Sequence, residues 1–193
     1  QLAIHAMDMM RQQVRPESRI GTWIIAGGTA SNVIPEFGEL EVTVRHTERE
    51  YLNGLSEQIK NIFEGAALCT GTTVDVEFYG NPYDDMNQNY RGTALIEEVM
   101  TDMGIDFKSG PADIGGSSDI GNVSYQCAAF HPKLRLAGED KVCHSKEFAA
   151  AMLESTIEQT IVDGANIIGR TLLRLVENPT VLEEIVAEFN ATK

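Results

Sequence analysis

Cysteine, histidine and positive charge are all in short supply in this chain, and each shortage excludes something. The three cysteines, Cys69, Cys127 and Cys143, are an odd number without CxxC spacing, which argues against a disulfide framework and a structural zinc knuckle. A reducing, cytoplasmic setting is the expectation that follows. Lys and Arg total 15 against 29 Asp and Glu, a formal charge of -14 that repels phosphate backbones, so nucleic acid is not expected as a partner. The acids are dispersed through periodic segments and read as a solvated surface. Long apolar runs are lacking too: none approaches the roughly 20 residues needed to cross a bilayer, and no membrane partner is expected. There is no signal-peptide pattern. A chain that opens on Gln1 inside an apolar-periodic segment reads as the continuation of a longer polypeptide.

What is present is 193 residues, 42% of them hydrophobic, enough for one generous core or two small ones. Ala3, Ala6, Met7, Met10 and Val14 recur every three or four residues, which predicts an amphipathic helix over 2–14 that Pro16 helps to end. Ile20 to Ile25 is a short β-rich run. The turn-rich stretch from Gly27 to Asn32 follows, and then Leu40, Val42 and Val44 alternate with Glu41, Thr43 and Arg45 as a second strand. From Glu48 to about Leu68 the residues Leu52, Leu55, Ile59, Ile62, Phe63 and Ala66 form one helical stripe. Val74, Val76 and Phe78 then alternate with Asp75, Glu77 and Tyr79, which predicts a half-buried third strand.

The order helix, strand, strand, helix, strand is that of a split βαβ, or ferredoxin-like, sandwich without its first strand. Gly80 to Asn89 has linker composition and sets an expected boundary between a domain at 1–84 and another at 85–193. In the second, Tyr90 to Met103 reads as a helix stopped by Gly104. Periodicity fades over Lys108 to Gly121, and short strands are expected around Ala128 to Phe130 and at Leu134 and Leu136. A long helical pattern runs from Ser145 to Val176 through Phe148, Met152, Ile157, Ile161, Ala165, Ile168, Leu172 and Leu175. Asn178-Pro179 breaks it before a last helix to Phe189. A site belongs more naturally in the glycine-rich loops than in the helices.

Among the four histidines, His5 in the first helix and His46 at a strand end are read as structural or solvent-facing. His144 stands directly before Ser145, a natural helix cap, which would hold its imidazole in a fixed direction suited to a metal ligand. No HxxxH or HxD spacing supplies companion ligands. His131, followed by Pro132, is read either as a hydrogen-bonded structural imidazole or as part of a site. The segment Gly115-Gly116-Ser117-Ser118-Asp119 either closes a tight turn or presents backbone N–H groups and a carboxylate to a ligand. It is neither a phosphate loop nor a GxSxG elbow. The pairs Glu97-Glu98 and Glu183-Glu184 fall in helical segments, where exposed acids are ordinary.

Four pieces in order, Gly27-Gly28 leading to Asn32-Val33-Ile34-Pro35, Gly116-Ser117-Ser118-Asp119-Ile120-Gly121-Asn122-Val123-Ser124, Phe130-His131-Pro132 and His144-Ser145, resemble the di-zinc aminoacylase, carboxypeptidase and amidohydrolase family of peptidases. The aminobenzoyl-glutamate hydrolase-like and dipeptidase branch is nearest. The resemblance implies an α/β enzyme with an α+β lid. On it, 1–84 is a ferredoxin-like lid and dimerisation domain lacking its first strand, and 85–193 is the C-terminal segment of a zinc-peptidase catalytic domain.

It further implies a homodimer formed through the lid, a small-molecule amide or dipeptide substrate, and two divalent metal ions, zinc by expectation, that activate water against an amide carbonyl. His144 matches the final metal ligand, Asn32 a substrate-binding lid residue, Asp119 a residue that orders the glycine loop, and His131 a pocket residue. The general base and the other ligands are expected outside this chain, which by itself is expected to bind metal weakly and to be inactive. Gly21 aligns with a lid histidine that contacts substrate in family members, a departure that leaves a non-catalytic dimerisation or interaction module as the alternative.

Overall fold

The structure is a computed structural model, and it describes residues 1–110, 116–136 and 141–192. The chain divides into two compact units, one formed by Gln1–Asp85 and the other running from Met86 to the C-terminus, with Gly116 and Ser117 grouped with the first.

The first unit is a two-stranded antiparallel ribbon with two helices on one face. Helix α1 spans Leu2–Met10, strand β1 Arg19–Ala26, strand β2 Glu39–Arg45 and helix α2 Arg49–Thr70. Alternation decides the faces: Ile20, Val42 and Val44 turn inward to meet Met7, Leu55 and Ile59, and Met7 has no exposed surface at all. Thr22 lies opposite Val42 and Ile20 opposite Val44 in a regular register that shifts only between Ile24 and Ala26. α2 ends where Gly71 adopts φ 67°, a left-handed cap that lets its N–H reach the Ala67 carbonyl. α1 stops at Met10, four residues short of the amphipathic pattern. Residues 11–13 continue as turns, with Gln12 N–H donating to the Met9 carbonyl at 3.4 Å and Gln13 N–H to Met10 at 2.8 Å.

The expected third strand, Val74 to Tyr79, is not formed. Val74 and Phe78 are exposed. A split βαβ arrangement sets a further strand between the two that its helix connects. No described segment occupies that slot, so the amides of 74–79 have no ladder to join. The unit is therefore α+β, with a smaller sheet than the sequence pattern implies. The Glu41 carboxylate of β2 is near enough to the Tyr79 hydroxyl to raise its pKa.

The second unit is helical among the described residues: α3 (Tyr90–Asp102), α4 (Ile120–Ser124), α5 (Lys146–Ala151), α6 (Thr156–Glu177) and α7 (Pro179–Ala191). Its core gathers Ile96 and Met100 of α3 with Ile167 of α6, and Phe130 and Leu134 pack against them. The segment 128–136 is irregular rather than stranded, because it lies among helices with no sheet edge to pair with. The long pattern from Ser145 is two helices, interrupted over 152–155.

The start of α3 is bound tightly. Asn89, almost fully buried, accepts from Gly92 N–H at 2.8 Å and donates to the Ile185 carbonyl of α7 at 2.9 Å. The Glu188 carboxylate receives the N–H groups of Tyr90 and Arg91 at 2.9 and 2.8 Å, an acid at the positive end of the helix. Pro179 occupies the first turn of α7, where its missing N–H costs nothing. Among the described residues, no helix is long and apolar enough to cross a membrane.

Candidate functional site

In the first unit the glycine turn closes one end of the strand pair, at Ala26 and Glu39, and Arg19 and Arg45 face each other at the other end. Gly28 has φ 109°, and a Cβ built there would lie 2.7 Å from Pro35 Cγ, so only glycine lets the loop fold back on its own proline. This contact shapes the turn that carries Asn32, whose side chain is exposed between β1 and β2. Beyond the strand pair lies a cavity of about 490 Å³ lined by residues that include Arg11, Arg15, Ser18, Arg19, Gly21 and Arg45.

Its charges are unevenly matched. Arg11 pairs with Asp8 at 3.1 Å, and Arg15 pairs with Glu48 at 2.7 Å beneath the Tyr51 ring. Arg19 donates only to the carbonyls of Pro16 and Ser18, at 2.6 and 2.7 Å, and neither Arg19 nor Arg45 has a carboxylate partner among the described residues. The register sets these two arginines directly opposite each other, a like-charge cross-strand pair that opposes pairing. Beside them Ser18, 8% exposed, has a buried hydroxyl with no partner among the described residues.

Arg19 and Arg45, neither with a carboxylate partner among the described residues, form a cradle for an oxyanion, since an anion would relieve their repulsion, while the Ser18 hydroxyl is shut off from solvent. Sequence reasoning passed over all three residues, because only the register brings Arg19 and Arg45 together. Gly21, opposite Thr43, lines the same cavity and is exposed, and a Cβ there would come no nearer than 3.9 Å to any atom.

His46 is structural. Its Nδ1 accepts the Glu48 N–H at 2.9 Å at the start of α2, its ring sits 4.3 Å from that of Tyr51, and its Nε2 is buried without a partner among the described residues. His5 is exposed on α1.

The second unit holds Asp119, His131 and His144, all exposed. Asp119 stands at the N-cap of α4, where its side chain bonds none of the helix N–H groups and the Ser118 hydroxyl lies 3.4 Å from its carboxylate. Gly115 lies outside the described residues. The motif's last serine is a lock: Ser124, fully buried, donates to the Gly121 carbonyl at 2.5 Å and accepts Asn87 N–H at 2.9 Å. His131 follows Phe130, whose ring lies so close to Gly92 of α3 that a Cβ there would overlap it.

His144 has φ 68°, the one non-glycine residue with positive φ among those described. A side-chain-bearing residue in that conformation carries strain, of a kind that concentrates at functional positions. It is fixed there by Ser145, whose Oγ accepts the Phe148 N–H at 3.0 Å to cap α5 and whose own N–H reaches the Val142 carbonyl at 3.2 Å. Within the second unit no hydrogen bond or ion pair joins Asp119, His131 or His144 to one another, and no three His, Cys, Asp or Glu side chains gather to hold a metal among the described residues. A dinuclear centre is not assembled from them.

The acid pairs resolve into scaffolding. Glu184 bonds Arg91 at 2.7 Å and raises its already high pKa, Glu98 lies 3.6 Å from both Arg91 and Arg174, and Arg174 also pairs with Asp102. The three cysteines are free and exposed.

No family model matches the chain. It is 29% identical over 191 residues to a mouse (Mus musculus) protein named Xaa-Arg dipeptidase and 28% identical over 194 residues to the human (Homo sapiens) protein of that name; each match covers 97% of this chain and 44% of the relative. A Haemophilus influenzae protein, named as the homologue of one of the subunits of p-aminobenzoyl-glutamate hydrolase, is 29% identical over 82 residues, 42% of this chain and 19% of that protein. These likenesses support kinship with peptidases and amidohydrolases. The chain spans less than half the length of the curated relatives that it matches throughout. A hydrolase of dipeptides or acyl amino acids, in that coarse sense, is the activity class the relatives' names support.

Proposed function

We propose that the chain is the C-terminal portion of a metal-dependent hydrolase that cleaves the amide bond of dipeptides or N-acyl amino acids, and that these 193 residues alone are inactive. The observation that carries this reading is the arginine cradle of the first unit. Dipeptides and N-acyl amino acids share a free α-carboxylate, and Arg19 and Arg45 offer that group two guanidiniums that have no carboxylate partner among the described residues. Likeness over nearly the whole chain to two proteins named as dipeptidases supports the same substrate class.

On this reading two divalent ions, zinc foremost, supply Lewis-acid chemistry when bound, and His144 is one of their ligands. The remaining ligands and the general base come from polypeptide outside this chain. Asn32 and His131 contact substrate, Asp119 orders the 116–124 segment, and the first unit serves as lid and dimerisation surface.

The test is to express a polypeptide of the relatives' length and measure its turnover of dipeptides with a C-terminal arginine and of N-acyl amino acids, with and without Arg45→Ala. The expected result is no turnover by the 193-residue chain, activity in the longer protein, and a KM at least roughly tenfold higher for Arg45→Ala with kcat little changed, as loss of a charge-assisted contact made equally in ground and transition states requires. An unchanged KM, or turnover by the short chain, would overturn the reading. The alternative of a non-catalytic dimerisation module rests on Gly21, which exposes bare backbone in the cavity. It would be favoured by a longer protein that dimerises through the first unit and hydrolyses nothing.

A further inference from the structure

The face of the β ribbon turned away from its helices carries opposite charges at two places along its length. The register pairs Arg19 with Arg45, Gly21 with Thr43 and Trp23 with Glu41. Side chains two residues apart on a strand share a face, so these pairs are successive rows of one face, opposite to the one on which Ile20, Val42 and Val44 meet the helices. The first row is the arginine pair of the cradle. In the third row the half-buried Glu41 carboxylate has no cationic partner among the described residues, and it lies across from Trp23, the single tryptophan of the chain, which is 64% exposed. Tyr79, also exposed, is near enough for Glu41 to raise its pKa, which brings a second aromatic residue to the same end. Four residues of strand set the arginine row and the Glu41 row about 14 Å apart, too far for Arg45 and Glu41 to neutralise each other. Between them Gly21 has no side chain, and a Cβ there would come no nearer than 3.9 Å to any atom, so the middle row is an open floor.

Resting on the carboxylate reading of the preceding subsection, we propose that Trp23 and Glu41 form the subsite for the side chain of the residue whose α-carboxylate Arg19 and Arg45 hold, and that this subsite selects a cationic side chain, arginine ahead of lysine. A ligand lying along this face meets cations at one row and an anion at the other. A residue with a basic side chain matches both, and its flexible apolar stem crosses the bare Gly21 row. An acidic side chain would bring a second anion to Glu41. An aliphatic one would cover that carboxylate without pairing it, at a desolvation cost. Side chains of one or two carbons do not reach the third row. Arginine is favoured over lysine because the planar guanidinium stacks on an indole and gives a carboxylate two parallel N–H bonds, whereas an ammonium is a compact, strongly hydrated charge.

Because Trp23 is the sole tryptophan, its fluorescence reports the subsite directly in the 193-residue chain, which holds every residue named. The chain, Glu41→Gln and Arg45→Ala are each titrated with Nα-acetylarginine, its carboxamide, Nα-acetylnorleucine and Nα-acetylglutamate. Nα-acetylarginine should give a saturable change in emission, with at least roughly tenfold weaker binding of the norleucine compound and no response to the glutamate compound. Glu41→Gln should bring arginine down to the affinity of norleucine and leave norleucine unchanged, which a variant that merely misfolds would not do. Arg45→Ala should weaken both carboxylate ligands, and the carboxamide should bind less tightly than the acid. Equal binding of the arginine and norleucine compounds, Glu41→Gln that binds arginine as its parent does, or no saturable response would overturn the proposal. Arginine binding that needs Glu41 but neither Arg45 nor the ligand carboxylate would refute the carboxylate reading and leave the cation subsite standing. Binding that needs Arg45 and ignores Glu41 would do the reverse.

Discussion

Gly92 is the position where helix propensity and tertiary packing make opposite demands, which makes Gly92→Ala an informative perturbation. Taken as a helix residue alone, alanine should stabilise α3 by up to about 1 kcal/mol relative to glycine. The structure says otherwise. A Cβ at residue 92 would overlap three atoms of the Phe130 ring, and that ring packs against the Ile96, Met100 and Ile167 cluster. Forcing extra volume into a packed core costs about 1–3 kcal/mol, and expelling the ring altogether would approach the roughly 3–5 kcal/mol of a Phe→Ala change.

After the helical gain is subtracted, a net loss of up to about 2 kcal/mol remains, which for a unit of about 100 residues lowers the melting temperature by up to roughly 16 °C. Circular dichroism melts of Gly92→Ala, Phe130→Leu and the double variant form a cycle. The double variant should lose less than the sum of the singles, because the smaller side chain gives way to the new methyl. Because His131 follows Phe130, the same change should also broaden or shift the His131 imidazole resonances. A Gly92→Ala protein that melts higher than its parent, as propensity alone demands, would refute the packing argument.

Two further outcomes can be measured on the 193-residue chain. Asn89→Ala removes both the α3 cap and the bond to the Ile185 carbonyl, and should cost about 1–2 kcal/mol or somewhat more, read as a shifted denaturation midpoint; a loss below a few tenths would show that the cap is dispensable. The Glu41 carboxylate that Tyr79 donates to raises the Tyr79 pKa above the ordinary phenol value of about 10. The folded pKa exceeds the unfolded one, so this contribution to stability is complete below pH ~10 and is lost as pH rises through the folded value. Ultraviolet titration should show a late-ionising step, and Tyr79→Phe should remove it; an unaltered late step would assign it elsewhere.

Local chemistry determined a good deal without any structure. The 3.6-residue periodicity of Leu55 and Ile59, the alternation of Val42 and Val44, the Ser145 cap and the Pro179 start are set by residues within a turn or two of each other, and the corresponding helices and strands form close to where the sequence places them. The roles of Asn32, Asp119, His131 and His144 come from the family resemblance and not from local chemistry. The structure adds their exposure and the positive φ of His144.

Only the tertiary structure decided which partners those elements meet. The 74–79 alternation is a sound strand pattern, but strands are made by neighbours, and no described segment fills the slot beside it. The stripe of Ile161, Ile168 and Leu172 looks like a core face in the sequence and is exposed, because periodicity shows that a face is apolar without showing what covers it. The Arg19 and Arg45 cradle depends on a register set across a long loop, where a slip of one residue would send the pair to opposite faces. Short-range rules reach as far as the element, whereas the site is built from contacts between elements, which the folded chain alone specifies.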